Sequence, residues 1–222
     1  STLHNWGYVA RGVNSRSYVL GSRILHLSAA CLRQVDLPRR AQSFVDRLNE
    51  QTREAVQLAI MQDTNLVHVL RREARHAVRV DTGLGGNSNA AHATATGKAI
   101  LAWLPPTELD RIVADKGLTA FTPHTLADIE TLKEELRLTR RNSFAIEREE
   151  FQLGVICLGA AIRDHAGAVV GSIGVSAPVF RATPDYIEQI KLHLIAAVNE
   201  LSAELGAPGA ILRGPAKSVA AE

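Results

Sequence analysis

This sequence of 222 residues has only two cysteines, Cys31 and Cys157. That number and spacing fit neither a disulfide framework nor a zinc module. Free thiols fit a reducing compartment, and the cytoplasm is the expected location. Long apolar runs are missing as well. None approaches the ~20 residues of a membrane span, and the N-terminus carries no apolar signal core. An excess of one charge is missing too: 25 Lys and Arg stand against 23 Asp and Glu, a net charge of +2. The whole chain is therefore not an electrostatic nucleic-acid binder. A basic bias exists only early on, at Arg11, Arg16, Arg23, Arg33, Arg39 and Arg40. What the chain does have is 46% hydrophobic residues, enough for a sizeable core. It begins in mid-pattern, Ser-Thr-Leu-His-Asn-Trp, without an initiator Met, as expected for a piece of something longer.

Patterning organises the rest. Leu3 onward reads as a helix end stopped by Gly7, then a hairpin of Tyr8–Ala10 and Ser17–Leu20 about a polar turn. A helix follows over about 22–34, with Leu20, Ile24, Leu27, Cys31 and Val35 on one face. Asp36 caps a second helix through Leu48, and Pro38 suits its first turn. From Ala55 the period changes to two. Strands are expected at 55–60, 66–70 and 78–84, with Asp63-Thr64-Asn65 as a turn. A helix is predicted over about His92–Leu104, others from Pro105 to Gly117 and from Asp128 to Arg140. Val155–Ile162 and Ala168–Ser176 form a hairpin about Asp164-His165-Ala166-Gly167. Thr183 and Pro184 open the last helix, which Gly206 stops. Hairpins with helices between and after them make an α+β fold, an antiparallel sheet covered by helices.

Three segments carry chemistry: HATATGKAIL (His92–Leu101), EREEFQLGVIC (Glu147–Cys157) and GVSAP (Gly174–Pro178). Gly97-Lys98 is not a phosphate loop, because His92 stands where the first glycine belongs and Ala99 where Ser or Thr should hold magnesium. Two readings of Ala93, Ala95 and Gly97 stay open. Either backbone N–H groups at the helix start hold a carboxylate, or the residues are small so that the helix packs closely on the sheet. Glu149 and Glu150 read as a solvated face. Glu147 follows an apolar stretch and is placed at a pocket mouth, where burial raises a carboxyl pKa. Cys157 reads as a small buried hydrophobe, or as a metal ligand with His92 and Glu147. Ser176 lacks the glycine that a nucleophile elbow needs two residues on and reads as a hydrogen-bond donor to a ligand. His68, His76, His124, His165 and His193 read as structural or exposed, Trp6 and Trp103 as packing residues.

The order Tyr18-Val19-Leu20-Gly21, linker helix, HATATGKAIL, TPHT (Thr122–Thr125), EREEFQLGVIC and SIGVSAP resembles the IclR (isocitrate-lyase-regulator) family of bacterial transcription factors, over residues 2–206. The resemblance implies a GAF- or profilin-like effector domain behind a winged helix-turn-helix, self-association as dimer or tetramer, and operator DNA as the full-length protein's partner. It divides the chain into the recognition-helix end and wing (1–21), a linker helix (22–36), an effector-binding domain (37–206) and a disordered tail (207–222). It implies wing contacts to DNA at Asn14, Ser15 and Arg16. Without the helix that supports a recognition helix, this stretch alone should bind DNA poorly. By motif, the effector positions fall at Ala95, Thr96, Glu147, Val155, Cys157, Gly174 and Ser176. The family more often has Asp at the place of Glu147, and its SxSGP motif loses one serine to Gly174. Asn87-Ser88-Asn89-Ala90-Ala91 replaces an apolar run before His92, which implies a more open or more polar rim.

The expected function is a regulator that senses a small organic acid, without cofactor, metal or membrane attachment. Two alternatives remain: a metal sensor using His92, Glu147 and Cys157, and a small hydrolase using Cys157 or Ser176.

Overall fold

The computed structural model describes residues 2–12, 17–27, 36–80 and 89–209. It divides into two units, residues 1–40 and 41–222.

In the first unit, α1 (Thr2–Asn5) ends where Gly7 adopts φ 73°, and Tyr8 N returns to Leu3 O at 2.9 Å. A left-handed glycine closing a helix in this way is the expected stop. Strands β1 (Val9–Arg11) and β2 (Tyr18–Leu20) pair antiparallel, Val9 opposite Leu20 and Arg11 opposite Tyr18. The turn with Asn14, Ser15 and Arg16 lies outside the described residues. Residues 23–27 are helical, whereas residues 28–35 of the expected linker helix, Cys31 among them, lie outside the description. Asp36 Oδ1 accepts from Arg39 N at 3.2 Å and starts α2 (Leu37–Thr52).

The second unit is built on one five-stranded antiparallel sheet: β3 (Ala55–Gln62), β4 (Asn65–Arg72), β5 (Ala145–Arg148), β6 (Val155–Arg163) and β7 (Val169–Pro178), in the order β4-β3-β7-β6-β5. The β6–β7 hairpin turns where expected. Asp164 Oδ1 accepts from Ala166 N and Ala168 N, and Gly167 supplies φ 78°. Because strand side chains alternate, register defines two faces. Ala55, Ser176, Cys157 and Glu147 form one cross-strand row, and Gln57, Gly174, Gly159 and Ala145 form the next on the same face. The other face carries Val56, Val175 and Leu158, then Leu58, Ile173 and Ala160, all buried.

Helices accompany the sheet in this unit, α2 from residue 41 onward. These are α2, α3 (Ala95–Leu101), α4 (Pro106–Lys116), α5 (Ile129–Asn142) and α6 (Pro184–Glu204). α2 buries Ala41, Phe44, Val45 and Leu48, one face at helical spacing. α6, capped by the Thr183 hydroxyl and opened by Pro184, packs on β6 and β7 with Ile190, Leu194, Val198 and Leu201 buried. Asp128 caps α5 through Thr131 N at 2.9 Å. Ile100, Leu101, Leu109, Ile112, Leu132 and Leu136 join α3, α4 and α5 in one core cluster.

Four expectations need correction. Val78, Arg79 and Val80 form no strand, and the remainder of that predicted strand and the loop through Ser88 lie outside the described residues. The helix predicted from His92 is interrupted: Ala91–Ala93 is a 3-10 turn, Thr94 is extended, and α3 starts at Ala95. β5 was not anticipated as a strand, since Phe144–Ile146 read only as an apolar stretch. Trp6 and Trp103 are 59% and 36% exposed rather than packed inside, and the Arg163 guanidinium lies 3.8 Å over the Trp103 ring.

Candidate functional site

The site grows from the sheet face under α3. Glycines let the helix come down onto it. A Cβ on Gly159 would stand 2.4 Å from Ala95 O, and one on Gly174 would stand 2.5 Å from Thr96 Cγ2. Gly97 is equally constrained, 2.1 Å from Ala91 O by the same measure. Ser172 Oγ donates to Thr96 O at 2.8 Å, and the Thr94 hydroxyl accepts from Gly97 N at 3.2 Å. The strand glycines Gly159 and Gly174 thus let α3 close onto the sheet, while Gly97 lets it close onto the preceding 3-10 turn.

Beside this docking contact lies a small cavity lined by Gln57, Thr94, Ala95, Glu147, Phe151, Gln152, Val155 and Cys157; its enclosed volume is about 10 Å³, room for about one water, and it reaches about 300 Å³ only when the open space at its mouth is counted. Four residues expected from sequence meet there: Ala95, Glu147, Val155 and Cys157. Three do not line it. Thr96 packs its methyl group over Gly174, and its hydroxyl faces His68 Nε2 at 3.5 Å. Ser176 stands next in the row, accepting from Cys157 Sγ at 3.1 Å and from Gln57 Nε2 at 3.0 Å. Sequence reading missed Gln57, Thr94, Phe151 and Gln152. Gln57, a polar residue in an otherwise apolar strand (Ala55–Met61), was the available signal.

The segment after β5 forms one wall. Glu147 Oε1 accepts from Glu150 N at 2.5 Å and Phe151 N at 3.1 Å. Thr122 and Thr125 hydroxyls hold the carbonyls of Glu149 and Glu150 at 2.6 Å and 2.5 Å. Phe151 meets Phe121 edge-on at 5.1 Å, and Phe121 leans on the His92 ring at 5.8 Å. Below it, Lys98 is fully buried, with Nζ at 2.7 Å and 2.8 Å from the Glu150 carboxylate oxygens, 2.7 Å from Ile146 O and 3.3 Å from Glu135 Oε1. Glu150 is therefore a buried ion-pair partner and not the solvated residue expected.

Burial sets the electrostatics. It raises the Glu147 carboxyl to about 7, against the lowering effect of the Phe151, Cys157 and Glu150 hydrogen bonds. Burial, then the Glu147 charge, pushes the Cys157 thiol well up, so it is a thiol and not a thiolate. Among the described residues, the side chains lining the cavity include no Lys, Arg or His.

The metal alternative is not assembled. His92 Nε2 is turned to Thr119 O at 3.0 Å. Among the described residues no group of three or more His, Cys, Asp or Glu is arranged to hold a metal ion. The hydrolase alternative lacks an activated nucleophile, since Cys157 is protonated and Ser176 has no base beside it. Among the described residues, no helix is long and apolar enough to cross a membrane.

An antiparallel sheet with one helix docked on the face that carries Ser176, Cys157 and Glu147, and a small cavity beside that helix, is an arrangement that can hold a small molecule. A family described as bacterial transcriptional regulator IclR, C-terminal, matches residues 29–203, and the chain belongs to this family. It is 28% identical over 205 residues to the HTH-type transcriptional regulator KdgR of Dickeya chrysanthemi, covering 92% of this chain and 67% of that one. It is similar to the crystal structure of a putative IclR transcriptional regulator from a Silicibacter species, with a TM-score of 0.81, 30% identity, and 93% and 81% of the two chains covered. It is also similar to the PobR inducer-binding domain of Acinetobacter, a double mutant solved with 3-hydroxybenzoic acid, with a TM-score of 0.67, 29% identity, and 76% and 98% covered. These relatives are transcriptional regulators, not enzymes, which sets the hydrolase alternative aside.

Proposed function

We propose that the chain senses a small organic acid in the cavity between α3, β5 and β6, and that Ala95, Glu147, Val155 and Cys157 are effector contacts. The observation that carries this reading is the convergence of those four residues, from three separate elements, on one cavity. With no cationic side chain in the wall among the described residues, the acid is held by neutral donors. Glu147 supplies one of them when protonated, a form that its burial favours. The groups facing it are the Cys157 thiol on β6, the Glu150 carboxylate in the following segment, and Lys98 of α3, which neutralises Glu150. Thr96, Gly174 and Ser176 act behind the wall, Ser176 by fixing Cys157 and Gln57. Support from outside the chain is the PobR inducer-binding domain, solved with an aromatic hydroxy acid.

In this reading the hairpin of β1 and β2 is the wing of a DNA-binding head, and Asn14, Ser15 and Arg16 are its DNA contacts. Residues 22–36 link it to the effector domain, and the full-length regulator binds operator DNA as a cytoplasmic dimer or tetramer. An effector acts only by favouring one arrangement of subunits over another. The test is a thermal-shift screen against small carboxylic acids. A ligand present at 100 times its dissociation constant adds about 2.7 kcal/mol to stability. A shift with an acid that is lost in Glu147→Ala supports the assignment, and a shift unchanged in that variant contradicts it.

A further inference from the structure

Almost every buried polar group near the sheet is paired. Fully buried Glu54 receives Arg181 at 2.7 Å and 3.1 Å and the Tyr186 hydroxyl at 3.2 Å. Asn49 bonds the carbonyls of Glu54 and Glu73 and accepts from Arg75. Lys98 is surrounded by oxygens. Gln57 differs. It is 3% exposed, it lines the cavity, and its Oε1 has no hydrogen-bond partner among the described residues. Thr139 Oγ1 and His76 Nε2 also lack a hydrogen-bond partner among the described residues, but neither residue lines this cavity. A buried acceptor left unpaired costs about 1–3 kcal/mol, so such a group inside a pocket wall takes its donor from a bound water or from a ligand that displaces it.

The amide is held in place from the other side. Gln57 Nε2 donates to Ser176 Oγ at 3.0 Å, and Ser176 is fixed in turn by the Cys157 thiol. Gln57 stands opposite Gly174, and its Nε2 would come within 3.6 Å of a Cβ there. Engaging the amide nitrogen with Ser176 leaves the carbonyl oxygen as the free end. We propose that Gln57 is a specificity-determining residue that accepts a hydrogen bond from the effector, so that the preferred acid carries a hydroxyl or amino donor. This rests on the effector cavity assigned above and narrows its ligand class. A site built to meet a donor discriminates strongly against analogues that lack it, because its own polar group is then left buried and unpaired.

The experiment uses matched probes: 3-hydroxybenzoate, 3-methoxybenzoate and benzoate, and lactate, 2-methoxypropionate and propionate. Affinities are measured by isothermal titration for the native chain and for Gln57→Met, which keeps the length and removes the acceptor. The proposal expects at least one hydroxy acid to bind roughly tenfold or more tighter than both its ether and its deoxy analogue, about 1.4 kcal/mol. It expects that preference to shrink toward one in Gln57→Met while the midpoint of unfolding stays level or rises. Equal binding within each series, or a preference that survives in Gln57→Met, overturns the role of Gln57 and leaves the cavity assignment standing. Failure of every acid to bind overturns both. Gln57→Leu provides a second readout if the Met variant does not fold.

Discussion

The two carboxylate oxygens of Glu150 lie 2.7 Å and 2.8 Å from Lys98 Nζ, and Lys98 has no exposed surface. This pair ties the segment carrying Phe151 and Gln152, one cavity wall, to the helix that forms another. Removing one partner strands a buried charge, at a cost of about 3–5 kcal/mol. Lys98→Met is therefore expected to lower stability by that amount in urea unfolding. Lys98→Met combined with Glu150→Gln should lose clearly less than the sum of the single changes. Additive losses would show that the pair is not coupled.

Glu147 makes stability depend on pH in a defined direction. Its folded pKa of about 7 lies above the ordinary 4.5. Between those values the folded chain keeps a proton that the unfolded chain has released. Stability therefore falls as pH rises through that window and levels off above it. The full effect is on the order of 3 kcal/mol. Glu147→Gln still accepts from the Glu150 and Phe151 amides and should be relatively more stable than the native chain at about pH 8, with little difference at about pH 4. Parallel stability curves for the two would contradict the assigned burial.

His68 pulls the other way. Burial, with Arg71 nearby, lowers its pKa from 6.5 to about 4. The folded chain then binds fewer protons than the unfolded one, so stability is lost as pH falls from 6.5 toward 4. His68→Gln should flatten this acid limb, as read by thermal unfolding midpoints across that range.

The floor of the site tests the packing of α3. Gly174→Ala sets a Cβ 2.5 Å from Thr96 Cγ2 and should cost about 1–3 kcal/mol. Thr96→Ser, which deletes that methyl group, should restore much of the loss in the Gly174→Ala background. It should not rescue Gly159→Ala, whose obstacle is the Ala95 backbone oxygen. Denaturant unfolding of the four variants reads both effects.

The elements legible in the sequence were those whose ends carry their own chemistry. Asp128, Thr183 with Pro184, Gly7, and the Asp164–Gly167 turn each act within a few residues, and each appears where expected. The α+β class followed from the same punctuation. What escaped depended on partners far along the chain. Thr94 breaks the helix expected from His92, so α3 begins only where the chain docks on Gly159. Lys98 and Glu150 are 52 residues apart, and Glu150 in its own neighbourhood read as part of a solvated face. Gln57 meets Ser176 across 119 residues. Four of the seven proposed effector positions line the cavity. Thr96, Gly174 and Ser176 sit one layer behind, a distinction of depth that a linear motif does not contain.

The most direct test of the sensor reading is isothermal titration of small carboxylic acids into the native chain and into Val155→Phe and Cys157→Met, which fill the cavity from its β6 wall. Circular dichroism checks that each variant retains its fold. The account predicts saturable binding of at least one acid to the native chain and loss of that binding, tenfold or more, in a folded variant with the cavity filled. Binding at unchanged affinity in both folded variants would place the effector elsewhere and contradict the account.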